Sequence, residues 1–201
     1  IIEKDTILKT MLTCLLASET DLFPEDKTLQ LFQKKPFLLQ YNYLMKVRDI
    51  ELTFKDFFQV SGVTKYINKV PHYFATNFEF LISTDWKLEK EINSLTGKTL
   101  TRLDERKLAD IVDRSFKGFG SKEARSFLLA LGITRYEIPI DSMMIKWLDK
   151  FGFPIKFTKA ALQDILFYHF VSDGIQKLCD ISEIYPCVLY ASIKSGHNAL
   201  K

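Results

Sequence analysis

Gly118, Gly120, Lys122 and Asp141 have residue types and a spacing that could do chemistry. The stretch KGFGSKEARSFLLALG, residues 117–132, sets Gly118 and Gly120 around Phe119, with Lys122 just beyond. Both glycines can take the positive φ that most residues avoid. Their N–H groups are unshielded and lie ahead of a helix N-terminus, a geometry that suits a phosphate. Lys117, Lys122 and Arg125 add positive charge nearby. Nineteen positions after Lys122, the run EIPIDSMMIKWL carries Asp141. Pro139 keeps Ile138 extended, so Asp141 falls at the N-cap of the next helix. There it is either a cap, worth roughly 1 kcal/mol, or a carboxylate aimed into a cleft shared with Lys122. The glycine turn also has a purely structural reading, as a link between two helices.

The elements that must position these residues are helices. In 103–116, Leu108, Ile111, Val112 and Phe116 repeat at helical spacing; in 122–131, Ala124, Phe127, Leu128 and Leu131 do so; in 141–151, Met144, Trp147, Leu148 and Phe151 do so. Ser121 is placed to cap the middle one, and Phe119 to plug the hairpin into the core. Further helices are expected at 6–17, begun at Asp5, and at 24–35, entered through Pro24. Others are expected at 53–60 behind a Thr53 cap, at 63–82 with a break at Pro71, and at 85–95 behind an Asp85 cap. Two more helical runs cover 158–179 and 185–195. The best strand candidate, FPIKFT at 153–158, is short. The expected fold class is all-α.

The composition suits one compact body or two small lobes. Of 201 residues, 47% are hydrophobic and 26% charged, as in ordinary globular chains. No apolar run reaches the roughly 20 residues that span a bilayer, so no membrane partner is expected. The opening IIEKD reads as a trimmed or partial N-terminus. A net charge of +3 permits nucleic acid as a partner without requiring it. Cys14, Cys179 and Cys187 are too scattered for a disulfide framework, a zinc site or an iron–sulfur cluster. No cofactor is therefore expected, and an intracellular, cytoplasmic setting is.

The run FKGFGSKEARSFLLALG…EIPIDSMMIKWL resembles the core of the helix-hairpin-helix DNA glycosylases. There a hairpin of the form Gly-hydrophobic-Gly-Ser/Thr-Lys precedes a helix, and a short loop delivers an aspartate to the next one. The Lys122-to-Asp141 spacing is similar to that of the lysine-containing 8-oxoguanine DNA glycosylase/AP lyases. The resemblance is carried by residues 103–151. MLTCLLASETDLF and VTKYINKVPHYF look more loosely like the family's DNA-facing loop and basic helix.

The resemblance implies a single two-lobed helical domain over 1–201, with a cleft between lobes and both termini contributing to the second lobe. It implies a monomer that repairs damaged double-stranded DNA by flipping a nucleotide out of the stack. The Gly118 and Gly120 N–H groups would grip a phosphate, helped by Lys117 and Arg125. Lys122 would attack the sugar, form a Schiff base and nick the strand by β-elimination, with 8-oxoguanine as the base released. An amine does this only when freed of the proton it ordinarily holds up to a pKa of roughly 10.4. Asp141 would stabilise positive charge on the sugar. Ser126 and Phe167 are candidates for the base pocket; Tyr168, Phe170, Trp86 and Trp147 are further aromatics that read as core. Three positions depart from the family: Ser142 and Met143 stand where His or Arg is common, and Glu19 stands where Gln or Asn fills the gap left by the flipped base. Glu19 and Met143 motivate one alternative, a non-catalytic helix-hairpin-helix DNA-binding protein; a purely structural glycine turn gives another, an all-helical interaction module.

Overall fold

The computed structural model describes residues 1–19, 40–60 and 67–199. They are all-α, with no strand among them. The chain divides into two compact units, Ile1–Lys98 with Ser115–Phe119, and Thr99–Arg114 with Gly120–Lys201.

In the first unit, α1 (Lys4–Glu19) buries Ile7, Leu8, Met11, Leu12 and Leu15 along one stripe. It packs on α2 (Tyr41–Leu44) and α4 (Val70–Ser83), and Asp5 accepts a hydrogen bond from Tyr41 N at 2.8 Å. α3 (Ile50–Val60) lays Phe54 against Phe74 of α4, with ring centroids 4.2 Å apart. α5 (Lys87–Leu95) buries Leu88 and Ile92. Three expected caps and breaks differ. Asp49, not Thr53, starts α3, accepting from Leu52 N at 2.8 Å. Pro71 sits in the first turn of α4, where its missing N–H is harmless, rather than breaking a longer helix. Asp85 does not cap α5; Asp85 and Trp86 both take positive φ, and the Asp85 carboxylate pairs with Lys90. The helix expected over 24–35 and part of that over 63–82 lie outside the described residues, as does the side chain of Glu19.

In the second unit, α6 (Arg102–Ser115), here through Arg114, contributes Leu108, Ala109 and Val112 to the core. α7 (Ser121–Ala130) contributes Ala124, Phe127 and Leu128. α8 (Ser142–Phe151), α9 (Ile165–Ile181) and α10 (Pro186–Ala199) close around Met144, Leu148, Tyr168, Val171 and Ile175. The expected 158–179 helix is interrupted. A 3-10 turn at Ala161–Gln163 precedes α9, which starts afresh with Asp164 accepting from Phe167 N at 2.9 Å. The 153–158 segment is irregular, not a strand.

The two ends of the chain do not share a unit. The C-terminal helix α10 packs on α8 and α9, with Leu189, Tyr190 and Ile193 against the core there. No helix among the described residues is long and apolar enough to cross a membrane.

Candidate functional site

The hairpin begins where α6 ends. Phe119 N–H donates to the Phe116 carbonyl at 3.2 Å, and the Phe119 ring meets Phe116 edge-on at 5.2 Å. Lys117 points its side chain outward while buried Asn77 takes both of its backbone polar groups. Asn77 Nδ2 donates to the Lys117 carbonyl at 3.0 Å, and Lys117 N donates to Asn77 Oδ1 at 2.6 Å. Gly118 adopts φ +79°, and a Cβ there would fall 2.3 Å from the Tyr73 ring. Strain and crowding both demand glycine at this position.

Gly120 is different and does not use the positive φ open to it. Its backbone is extended, φ −135° and ψ −173°, a region open to any residue. A Cβ would have ordinary contact only with Glu123 Oε2, at 3.4 Å. Gly120, not Ser121, is also the N-cap of α7. Ser121 instead donates from Oγ to Asp113 at 2.8 Å. The open N-terminus is closed from inside by Glu123, whose Oε2 accepts from Gly120 N–H at 3.2 Å.

Lys122 therefore lies in the first turn of α7, where a cation opposes the helix macrodipole. Its side chain is one-third exposed (33%), and its Nζ sits 2.8 Å from Glu123 Oε1. Glu123 thus holds Gly120 N–H with one oxygen and the Lys122 ammonium with the other. Lys122 forms no ion pair with Asp141 among the described residues.

Arg125 corrects an expectation outright. It is wholly buried, with no surface for a phosphate to meet. Its Nε donates to Glu137 Oε2 at 2.7 Å, its Nη1 to the Ser121 carbonyl, and its Nη2 reaches Asp110 Oδ1 at 3.3 Å. The guanidinium also lies 4.5 Å from the Tyr168 ring centroid. Arg106, Ser172 and Gln176 complete the Glu137 carboxylate, and His169 Nε2 lies 3.1 Å from Asp110. Removing one partner of such a buried pair strands the other, at a cost of about 3–5 kcal/mol.

This cluster fixes the chain that leads to Asp141. Glu105, buried on α6, accepts from the N–H groups of Arg135, Tyr136 and Glu137 at 2.7–2.9 Å. Burial raises the Glu105 carboxyl above its usual range, those three donors pull it back, and the Glu137 charge adds to the rise. The Tyr168 hydroxyl accepts from Ile140 N at 2.9 Å and donates to the Ile138 carbonyl at 3.2 Å. Asp141 then caps α8, with Oδ1 accepting from Met144 N at 2.9 Å. Its Oδ2 accepts from the Tyr190 hydroxyl of α10 at 2.8 Å. The carboxylate is partly exposed on a rigid mount, the arrangement that electrostatic preorganisation requires.

The remaining candidates divide. Ser126 is half-buried one turn after Lys122. Phe167 is half-buried in the second unit's core, 5.8 Å from Phe157 and 6.2 Å from Phe170, while Phe170 is exposed. Tyr168 and Trp86 are buried, and Trp147 stacks on Phe151 at 4.9 Å. Ser142 and Met143 are half-buried in the first turn of α8. Cys179 is buried, which pushes its thiol up to about 11 and keeps it protonated. Among the described residues no group of three His, Cys, Asp or Glu side chains is arranged to hold a metal ion.

Several residues that build the site escape a motif search: Asn77, Glu105, Glu137, Glu123 and Tyr190. Asn77 and Glu105 are polar residues on the apolar stripes of α4 and α6, which is the available signal for a buried structural role. Comparisons with protein families, curated proteins and solved structures find no match for the chain.

Proposed function

We propose that the chain is a base-excision DNA glycosylase with AP lyase activity. In this reading it has the two-lobed helix-hairpin-helix plan and acts on an oxidised purine, 8-oxoguanine, in duplex DNA. The observation that carries the reading is Gly120. Neither its backbone angles nor its packing needs glycine. A Ser, Asp or Asn would cap α7 somewhat better. A glycine at a helix N-terminus, its N–H held by the Glu123 carboxylate, suits exchange of that carboxylate for an anion arriving from outside, and a DNA phosphate is the anion that would meet Lys122 there.

In the reaction, a phosphate bound at Gly120 competes with Glu123 for the Gly120 N–H. Lys122 leaves its ion pair and gives up a proton to solvent. The amine nitrogen bonds to C1′ as the glycosidic C–N bond breaks, and its electron pair leaves with the base, which takes a proton. The sugar opens to the iminium form of the Schiff base. Loss of a C2′ proton then expels the 3′ phosphate, and water releases the enzyme. Asp141 supplies negative charge opposite the sugar as positive charge develops. Arg125 takes no part in the phosphate grip and instead braces the loop that carries Asp141.

The Lys122–Glu123 ion pair favours a second reading, a non-catalytic DNA-binding protein whose lysine stays protonated. Borohydride trapping separates the two. Duplexes carrying 8-oxoguanine or an abasic site should yield a covalent adduct with the wild-type chain and none with Lys122→Gln. Salt-dependent duplex binding without any adduct overturns the enzymatic reading and leaves the second; no binding at low salt overturns both.

A further inference from the structure

Asp141 is held in a way that capping does not require. Two aspartates of the second unit cap helices, and they form an internal comparison. Asp164 caps α9 through one oxygen, which accepts from Phe167 N at 2.9 Å; among the described residues no other donor reaches it. Asp141 caps α8 in the same way at 2.9 Å, and then receives a phenol from a residue forty-nine positions later. Tyr190 comes from α10, packed against α8 and α9, and its O–H···Oδ2 distance is 2.8 Å. A hydroxyl donating to an ionised carboxylate makes a charge-assisted bond, about twice as strong as a neutral one.

We propose that Tyr190 is a positioning residue for Asp141, turning a helix cap into a fixed negative charge for the sugar. The proposal rests on the glycosylase reading. With Oδ1 tied to the α8 backbone and Oδ2 tied to the phenol, the carboxylate plane cannot turn about its own bond without breaking one of the two. Asp141 has no ion pair with Lys122 among the described residues. Asp141 therefore acts on the developing positive charge of the sugar rather than as the base that activates the amine. The loop behind it is braced separately, by Tyr168 and Glu105, so Tyr190 governs the orientation of the carboxylate and not the existence of the loop.

The test is a cycle of four full-length chains: wild type, Tyr190→Phe, Asp141→Asn and the double variant. Phe keeps the ring and removes only the hydroxyl. Single-turnover base release is measured on a duplex carrying 8-oxoguanine, with duplex affinity measured on the same DNA. Tyr190→Phe should slow base release by roughly ten- to a hundredfold, the loss of one charge-assisted bond at the transition state. Duplex affinity should not change. The double variant should be no slower than Asp141→Asn, because the effect of the hydroxyl on base release passes through the carboxylate. Base release at the wild-type rate in Tyr190→Phe overturns the proposal. So does a double variant slower than Asp141→Asn by the full Tyr190→Phe factor, the mark of a merely structural contribution. If Tyr190→Phe also weakens the fold, that second comparison still decides. A wild-type chain that releases no base and traps no abasic DNA overturns the glycosylase reading itself, and the catalytic role of Tyr190 with it.

Discussion

The carboxylate of Glu123 and the amine of Lys122, adjacent in the first turn of α7, form an ion pair at 2.8 Å while the same carboxylate accepts from Gly120 N–H. Glu123 thus occupies, from within the chain, the place an external anion would take. It offsets the unfavourable cation at the helix N-terminus, an effect of about 0.3–1 kcal/mol.

Glu123→Gln should therefore have opposite effects on folding and on binding. The amide still reaches Gly120 N–H but no longer repels a phosphate or holds the Lys122 ammonium. Stability should fall by about 0.3–1 kcal/mol, the loss of an anion from a helix N-terminus. Duplex affinity at low salt should rise by about fivefold, the equivalent of one screened charge pair of about 1 kcal/mol. Anisotropy titrations at two salt concentrations, with urea unfolding alongside, check both signs.

The two hairpin glycines should separate structure from function. Gly118→Ala forces a side chain into positive φ and against Tyr73, and should destabilise the chain by about 2–4 kcal/mol. Gly120→Ala faces neither obstacle. Its gain of about 0.4–1 kcal/mol from a stiffer unfolded chain is offset by the poor capping of alanine. Its net effect on stability should lie within about 0.5 kcal/mol. Duplex affinity should nevertheless fall by about tenfold, because the methyl stands where a phosphate must approach. Equal affinity in wild type and Gly120→Ala would remove the argument for a phosphate at the hairpin.

Residue spacing made the helices legible, because each apolar stripe must find a core. Helices α6, α7 and α8 lie within a residue of their expected ends. The cap at Asp141 was legible from Pro139 and the stripe that follows. The partners were not, because spacing along one helix says nothing of what packs against it. Arg125 reads as a surface cation until Glu137 and Asp110 are seen to enclose it. Gly120 reads like Gly118 until their backbone angles separate them. Asn77 and Tyr190 stand forty and forty-nine positions from the residues they hold, so neither belongs to any local pattern.

Glu105 should leave a signature in the pH dependence of stability. Its carboxyl is raised above its usual value of 4.5, chiefly by burial. Between the unfolded and folded values the native state holds the extra proton. This stabilisation is fully present below the unfolded value and is lost as the pH rises through the folded one. Glu51, Asp85 and Asp104 are lowered by their hydrogen bonds, to Lys55 and His72, to Lys90 and to Thr101 respectively. Their contributions run the other way, present above their unfolded values and lost as the pH falls through their folded ones. Glu105→Gln should remove the decline just above pH 4.5 and keep the acid loss. It should also cost about 1–3 kcal/mol at neutral pH, since one amide oxygen cannot serve all three backbone donors. Thermal melts of both chains between pH 3 and 7, in half-unit steps, check the slope and the offset together.

Asp141→Asn isolates charge from structure. Asparagine caps a helix about as well as aspartate, so its oxygen keeps the bond from Met144 N. The amide nitrogen can donate to the Tyr190 oxygen, reversing that hydrogen bond without losing it. The fold should therefore lose less than about 1 kcal/mol. Duplex affinity should be unchanged or slightly tighter, since a negative charge near the DNA is gone. Base release should nonetheless slow by at least roughly a hundredfold, the scale seen when preorganised electrostatic stabilisation of a transition state is removed. Trapping on a duplex that already lacks the base should be affected much less, because there the glycosidic bond is already broken. Equal slowing of both steps would move Asp141 from stabilising the sugar to activating Lys122, and would contradict its fixed, doubly hydrogen-bonded geometry.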